Sequence, residues 1–398
     1  MRILWVKIGG LWPLNIGGRL RSYHIVSALS ERHRVVVLTT HPRGVDGEEL
    51  AKHLSHCERV VSFAHDPPKA GTARFAWTLA QSWFSALPVD LYKVRVPELQ
   101  HEVQRLLQSG SFDLCVADFL FAVPNVAFGQ TPVVLFEHNV ESMIWRRLAE
   151  VEKSAWRRAL LQIESRKVER AEQLACKRSR MVIAVSDEDR IALQRGALNA
   201  DVRSVPTGVD IGYFTANGTP ERPHHLVFTG AMDWYPNEDA MLFFIANILP
   251  DIRREIPAVT MSIVGRNPSQ RLEAAAAAAG VHLTGTVPDV RPFIDEAAVY
   301  VVPIRIGGGT RLKIFEALSM AKAVVPTTVG TEGLPLLDRE HYVRADGPRE
   351  FSGAVVSLLR DRQQRQTLAA AGSRFVRSNY AWTSVARSFE ALCEEAIA

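Results

Sequence analysis

The densest chemical equipment in this sequence is the run Gly307-Gly308-Gly309-Thr310-Arg311-Leu312-Lys313-Ile314-Phe315-Glu316-Ala317-Leu318. It follows a β-branched stretch, Val299 to Pro303, and opens a helical pattern that continues to Met320. Glycines let backbone amides approach a ligand closely, and a helix N-terminus adds partial positive charge. With Arg311 and Lys313 beside those amides, the run is equipped to hold a pyrophosphate. Glu316 lies on the same helix and can accept hydrogen bonds from the two hydroxyls of a ribose. The glycine-lysine-serine/threonine ending of a Walker loop is absent. The competing reading is an exposed helix start whose Arg and Lys are merely solvated.

A second glycine-rich stretch stands near the N-terminus, where Gly9-Gly10 and then Gly17-Gly18 precede Arg19, Arg21 and a helical pattern through Leu29. It departs from G-x-G-x-x-G, so a phosphate-binding loop and a plain strand-to-helix turn are both open. His138 ends the apolar run Pro132 to Phe136, at the carboxyl edge of an expected parallel strand, where ligands bind in such sheets. On position alone it is either a ligand-facing group or a histidine hydrogen-bonded at a strand end. From Arg74 to Tyr92 run Phe75, Trp77, Leu79, Trp83, Phe84 and Leu87, which read as core packing, with an apolar or membrane-facing surface as the alternative. Between Trp145 and Arg180 lie eleven Lys or Arg against five Glu, read as a solvated basic helical face.

These residues must be positioned by something, and the pattern of elements says what. At 398 residues the chain exceeds what one core usually organises, so two domains are expected. Strands are predicted at Ile3 to Ile8, Arg34 to Thr40, Asp113 to Phe119, Pro132 to His138 and Met181 to Ser186. A second series follows at Leu226 to Thr229, Val259 to Val264, His282 to Gly285, Val299 to Pro303 and Ala323 to Pro326. Alternation with helical stretches predicts an α/β chain of two doubly wound parallel sheets. The Val205-Pro206-Thr207-Gly208-Val209-Asp210 segment marks the boundary, giving an N-terminal Rossmann-like domain over 1–205 and a C-terminal one over 206–381. Val385, Phe389, Leu392 and Cys393 form one apolar stripe on a final helix, 382–398, which could return to pack on the first domain.

The parts resemble the retaining glycosyltransferases of the GT-B fold called family 4. Val205 to Asp210 is similar to that family's interdomain segment, Phe228-Thr229-Gly230 to its first C-terminal strand, Gly285-Thr286-Val287-Pro288-Asp289 to its base-binding loop, and Glu316-Ala317 to the end of its E-x7-E motif. In the first half, Gly17-Gly18 and Glu137-His138-Asn139 match. The resemblance implies two Rossmann-like domains facing each other across a cleft and transfer of a hexose from a nucleotide diphosphate sugar, with retention and without a metal. It implies His138, Arg311 and Lys313 as catalytic groups, with Gly17, Gly18, Gly230, Val287, Gly308, Gly309, Thr310 and Glu316 binding the donor. Two departures matter: Gly308 stands where the first glutamate of E-x7-E belongs, and Met232-Asp233-Trp234-Tyr235-Pro236-Asn237 stands where an Arg and a Lys often follow the first C-terminal strand.

Composition agrees with this reading. A hydrophobic fraction of 47% and a charged fraction of 23% are ordinary for a globular chain. The net charge of +4 suits an anionic substrate and is too small to call for nucleic acid. No apolar run approaches the ~18 residues of a spanning helix, and the N-terminal stretch is too short for a signal peptide, so a cytoplasmic location is expected, with the inner face of a membrane as an option. Cys57, Cys115, Cys176 and Cys393 lack metal-ligand or disulfide spacing. No metal and no cofactor are expected beyond the nucleotide sugar, UDP rather than GDP, and the acceptor is a glycan, lipid or small molecule. A nucleotide-sugar 2-epimerase of the same plan and a non-catalytic nucleotide-binding protein are the alternatives.

Overall fold

The computed structural model describes every residue except 15–16, 70, 153 and 307–311. Among the described residues, twelve strands form two parallel sheets. The first holds β1 (Arg2–Lys7), β2 (Arg34–His41), β3 (Arg59–Ala64), β4 (Leu114–Asp118), β5 (Val133–Phe136), β6 (Met181–Ala184) and β7 (Val202–Ser204), in the spatial order β3-β2-β1-β4-β5-β6-β7. The second holds β8 (His225–Thr229), β9 (Thr260–Val264), β10 (His282–Leu283), β11 (Val299–Val302) and β12 (Ala323–Pro326), in the order β10-β9-β8-β11-β12. Every pairing is parallel. The α/β expectation is borne out. The central strands β4, β5, β6, β8 and β11, and the edge strand β12, are buried at every position, as strands covered on both faces must be.

Helices that bear on the site are α1 (Gly17–Ser30), α2 (Ala73–Trp83), α3 (Val89–Tyr92), α4 (Glu141–Val151), α5 (Ala155–Arg178), α6 (Tyr235–Asn247), α7 (Leu312–Ser319) and α8 (Trp382–Ile397). The chain divides into two compact units, 1–206 with 385–398, and 207–384. In the first unit the final helix supplies Phe389, fully buried, with its ring centroid 5.7 Å from Trp5 and 4.9 Å from Phe136. Its neighbour Glu390 meets His33 at 2.6 Å and also pairs with Arg32.

In the second unit the Thr207-Gly208-Val209 segment lies along the entrance to the same helix. The Val209 amide donates to Tyr380 at 2.7 Å. A methyl on Gly208 would stand 2.6 Å from the Trp382 indole, so only glycine fits beneath that ring.

Helix α5 works as an internal strut. Glu164 accepts the Val89 amide at 2.8 Å and so caps α3, while Glu172 accepts the Glu141 amide at 2.7 Å and the Ser142 hydroxyl at 2.5 Å and so caps α4. Carboxylates at helix N-termini satisfy orphan amides and complement the helix dipole.

Part of the aromatic segment departs from its core reading. Phe75, Leu79 and Leu87 are half-buried, but Trp77, Trp83 and Phe84 face outward. Strands β3 and β7 went unpredicted: both are sheet edges charged at Arg59 and Arg203, and β7 is only three residues long.

The second sheet depends on one tight crossing. A methyl at Gly265, just after β9, would lie 1.7 Å from the Gly230 carbonyl oxygen at the end of β8, a backbone atom that cannot step aside. Gly265→Ala should therefore cost about 3 kcal/mol or more, beyond an ordinary overpacking penalty. Thermal unfolding followed by circular dichroism checks this; a melting temperature equal to wild type contradicts it.

Candidate functional site

In each sheet the strand order reverses once, between β1 and β4 and between β8 and β11. Crossovers leave such a point in opposite directions and open a crevice at the carboxyl ends of the strands. The predicted residues that can be described gather at these two places, apart from Val287.

In the first unit the register pairs Lys7 with Asp118 and Asp118 with Phe136, which puts His138 two residues beyond the same level of the sheet. Asp118 is the hub. Its carboxylate accepts from the Trp5 indole at 2.7 Å and the Lys7 ammonium at 3.0 Å, and His138 Nε2 stands 2.7 Å away. All four side chains are buried. Burial works against ionising Asp118, but Lys7 and His138 outweigh it and hold the carboxyl well below the usual carboxylate range. Burial also pushes His138 down to about 4, against the pull of Asp118, so the imidazole is neutral at physiological pH. A neutral, oriented imidazole can exchange hydrogen bonds with a sugar hydroxyl without adding charge.

Helix α1 starts against this histidine. A methyl on Gly18 would lie 3.1 Å from His138 Nδ1, whereas one on Gly17 would meet nothing within 4 Å. The glycine therefore lets the helix N-terminus approach the ring. Gly9 and Gly10 do not serve as phosphate donors, because their amides are spent on Thr40 and Thr39 hydroxyls at 2.9 and 3.2 Å. Arg21 is buried beside Lys7, and burial lowers it to about 10 despite Asp118 and Asp189. Neither carboxylate near His138 suits a nucleophile. Asp118 is engaged on both oxygens, and Glu137 is pushed well up by burial and then by Glu172 and Glu141.

In the second unit Lys313, in the first turn of α7, donates to Asn237 Oδ1 at 2.7 Å and lies 4.1 Å from the centroid of the Phe228 ring. Asn237 itself, in the first turn of α6, donates to the Ala231 carbonyl at 2.8 Å. Gly230 closes the group: a methyl there would be 2.8 Å from both Lys313 Nζ and Asn237 Nδ2. Glu316 is half-buried one turn beyond Lys313, and burial pushes its carboxyl up to about 7, partly offset by that lysine. Asn237 was missed in the sequence reading. Its signal lay in the Met232 to Asn237 departure, where an amide stands in a segment expected to carry cations.

Val287 is half-buried and packs on the second core, apart from Lys313 and Glu316 in sequence and element. Its loop is braced by Asp289, which takes a bidentate pair from Arg291 at 2.7 to 3.0 Å, with Arg291 3.9 Å over the Tyr213 ring. Gly308, Gly309, Thr310 and Arg311 lie outside the described residues. Among the described residues one group has metal-ligand geometry, His33, Glu390 and Glu394, remote in sequence from both crevices and already engaged by Arg32 through Glu390.

Two family models match consecutive parts of the chain, one described as "Glycosyltransferase Family 4" over residues 17–213 and one as "Glycosyl transferases group 1" over residues 223–361. The chain belongs to the GT-B glycosyltransferase superfamily. Among relatives, it is 29% identical over 214 residues to a phosphatidyl-myo-inositol mannosyltransferase of Mycobacterium leprae, a match covering 51% of this chain and 56% of that protein. Two solved structures share its fold end to end. A sucrose-phosphate synthase from Thermosynechococcus elongatus superposes with a TM-score of 0.71 at 14% identity, covering 99% of both chains. The Anabaena protein HepE in complex with UDP gives 0.66 at 15% identity, covering 99% of this chain and 100% of that one. Among the described residues no helix is long and apolar enough to cross a membrane.

The Asp118 hub makes a stability prediction. Asp118→Asn removes the negative partner of the buried Lys7 ammonium and should cost about 3 to 5 kcal/mol, as breaking a buried pair does. Because the folded carboxyl sits below its unfolded value of about 4, its contribution is present above that pH and disappears on acidification. Melting temperatures at pH 7 and pH 3 should therefore differ less for the variant than for wild type; an unchanged difference contradicts the hub.

Proposed function

We propose that this chain is a family 4 glycosyltransferase that moves a hexose from a nucleotide diphosphate sugar, UDP rather than GDP, to an acceptor hydroxyl with retention of configuration and without a metal ion. The observation that carries the reading is the Lys313, Asn237, Gly230 and Glu316 group at the β8/β11 strand reversal, an ammonium and a carboxylate one helical turn apart. The ammonium, with Arg311 and the amides of Gly308, Gly309 and Thr310, would neutralise the diphosphate, and Glu316 would accept the ribose hydroxyls. Gly308 leaves no carboxylate for the sugar where relatives of this family place one, so backbone amides take over that contact.

In the step itself the anomeric carbon's bond to the diphosphate oxygen breaks and its electron pair stays on that oxygen. The acceptor oxygen bonds to the same face of the carbon, and its proton passes to the departing phosphate. His138, neutral and held by Asp118, supports the sugar through its hydroxyls. The UDP complex of HepE supports the choice of base, and a mannosyltransferase relative supports a hexose.

Calorimetry with UDP and a radiolabelled UDP-sugar transfer or hydrolysis assay test the reading; absence of both nucleotide binding and sugar release overturns it. Addition of EDTA should leave the rate unchanged. An epimerase would convert the nucleotide sugar without any acceptor.

Three variants separate the roles. Ribose hydroxyls can donate to both Glu316 oxygens only when it is ionised, so UDP affinity should rise as pH increases through about 7. Glu316→Gln should bind roughly tenfold more weakly at pH 8 and lose that part of the pH dependence, since hydrogen bonds to charged groups are worth about 1.5 to 3 kcal/mol. Equal affinity at pH 8 by calorimetry contradicts the ribose contact. Lys313→Ala should raise the barrier to turnover by about 2 to 4 kcal/mol. His138→Ala should cut transfer at least about a hundredfold while UDP affinity holds; a lowered melting temperature with undiminished turnover per folded molecule would make the histidine structural.

A further inference from the structure

Helix α2 is seated inside out. An amphipathic helix on a protein surface turns its apolar stripe toward the core and its polar residues outward. Here Thr78 and Ser82 are the buried side chains, their hydroxyls satisfied within the helix by the Arg74 and Leu79 carbonyls at 2.8 and 2.7 Å. The aromatics face out: Trp77 is 66% exposed, Trp83 53% and Phe84 96%. Trp77 and Phe84 are seven residues apart, so they share one stripe, with Trp83 beside it.

The aromatic end of this helix is fastened to α5, where the Lys167 ammonium donates to the Ser82 carbonyl at 2.7 Å. One turn before Lys167, Ile163 is 49% exposed, and two turns earlier on the same side Trp156 is 64% exposed. Cations surround these apolar groups. Arg74 opens α2, and Arg157, Arg166 and Arg170 lie exposed along α5; among the described residues none of the four forms an ion pair. Of the two intervening acids, Glu164 is buried and spent on the α3 cap, and Glu169 pairs with Arg146 at 3.3 Å.

We infer that this face of the first unit docks on the surface of an anionic lipid bilayer, with Trp77, Trp83, Phe84, Trp156 and Ile163 entering the headgroup boundary and the arginines meeting lipid phosphates. Exposed tryptophans edged by unpaired arginines are the composition of an interfacial segment, because the indole suits the headgroup level and the cations complement negative lipid. A protein partner of ordinary surface would leave four arginines without counter-charges. The inference concerns where the protein works and stands independently of the reaction it performs.

The test is co-sedimentation of the full chain with vesicles rich in phosphatidylglycerol and with vesicles of phosphatidylcholine alone. Wild type should bind the first and not the second, and release as salt rises. Trp83→Ser/Phe84→Ser and Arg157→Glu/Arg166→Glu should each reduce binding at least roughly tenfold with an unchanged melting temperature. Binding of the wild type to neither vesicle, or variants that bind as well as wild type, overturns the inference. So does sedimentation velocity showing wild type self-associated and the aromatic variant monomeric without lipid binding, which assigns the face to a second copy of the chain.

Discussion

The candidate site of this molecule depends on where the strand order of a parallel sheet reverses. A parallel strand can be followed only by a crossover, and successive crossovers cover one edge direction until the order turns back. At β1/β4 and at β8/β11 the chain leaves in opposite directions, so the carboxyl ends of two neighbouring strands are left uncovered by their own connections. The Lys7, Asp118 and His138 group occupies one such gap and the Gly230, Asn237 and Lys313 group the other. Buried charge is tolerated at the first because Lys7 and Asp118 are paired there.

The two groups are built differently. In the first unit the charges neutralise each other: one carboxylate serves an indole, an ammonium and an imidazole, and the result is a rigid, neutral ring presented beside a helix start. In the second unit the cation is held by a neutral amide and the face of a phenyl ring, neither of which cancels its charge. Asn237 keeps the ammonium aimed.

Much of this was legible in the residues. Gly17, Gly18, Gly230, His138, Lys313 and Glu316 stood out because type and position both carry meaning at a strand end or helix start, and they fall at the two strand reversals. What escaped was whatever depends on a partner distant in sequence. Nothing near Gly9 or Gly10 announces that Thr40 and Thr39 consume their amides, since those threonines arrive from the next strand. Asn237 becomes meaningful only when α7 brings Lys313 against it across 76 positions. The hydrophobic pattern of α2 was plain, but pattern alone does not say which side faces the protein, and the buried hydroxyls of Thr78 and Ser82 decide against the usual answer. Edge strands β3 and β7 lack the continuous apolar character that betrays a central strand.

The first unit is not a continuous stretch of chain: it closes only when Phe389, contributed after the entire second unit has been made, fills the space between Trp5 and Phe136. A ribosome that has released residues 1–206 has therefore delivered a sheet with an open seam, which is sealed only by a segment synthesised after the second unit. Recombination that exchanged the second unit between relatives would need two breakpoints, one in the Thr207-Gly208 segment and one near Trp382. Because those two segments lie together, with the indole over Gly208, both cuts would have to be matched as a pair. The helix at the end of the chain thus makes the two halves inherit as one.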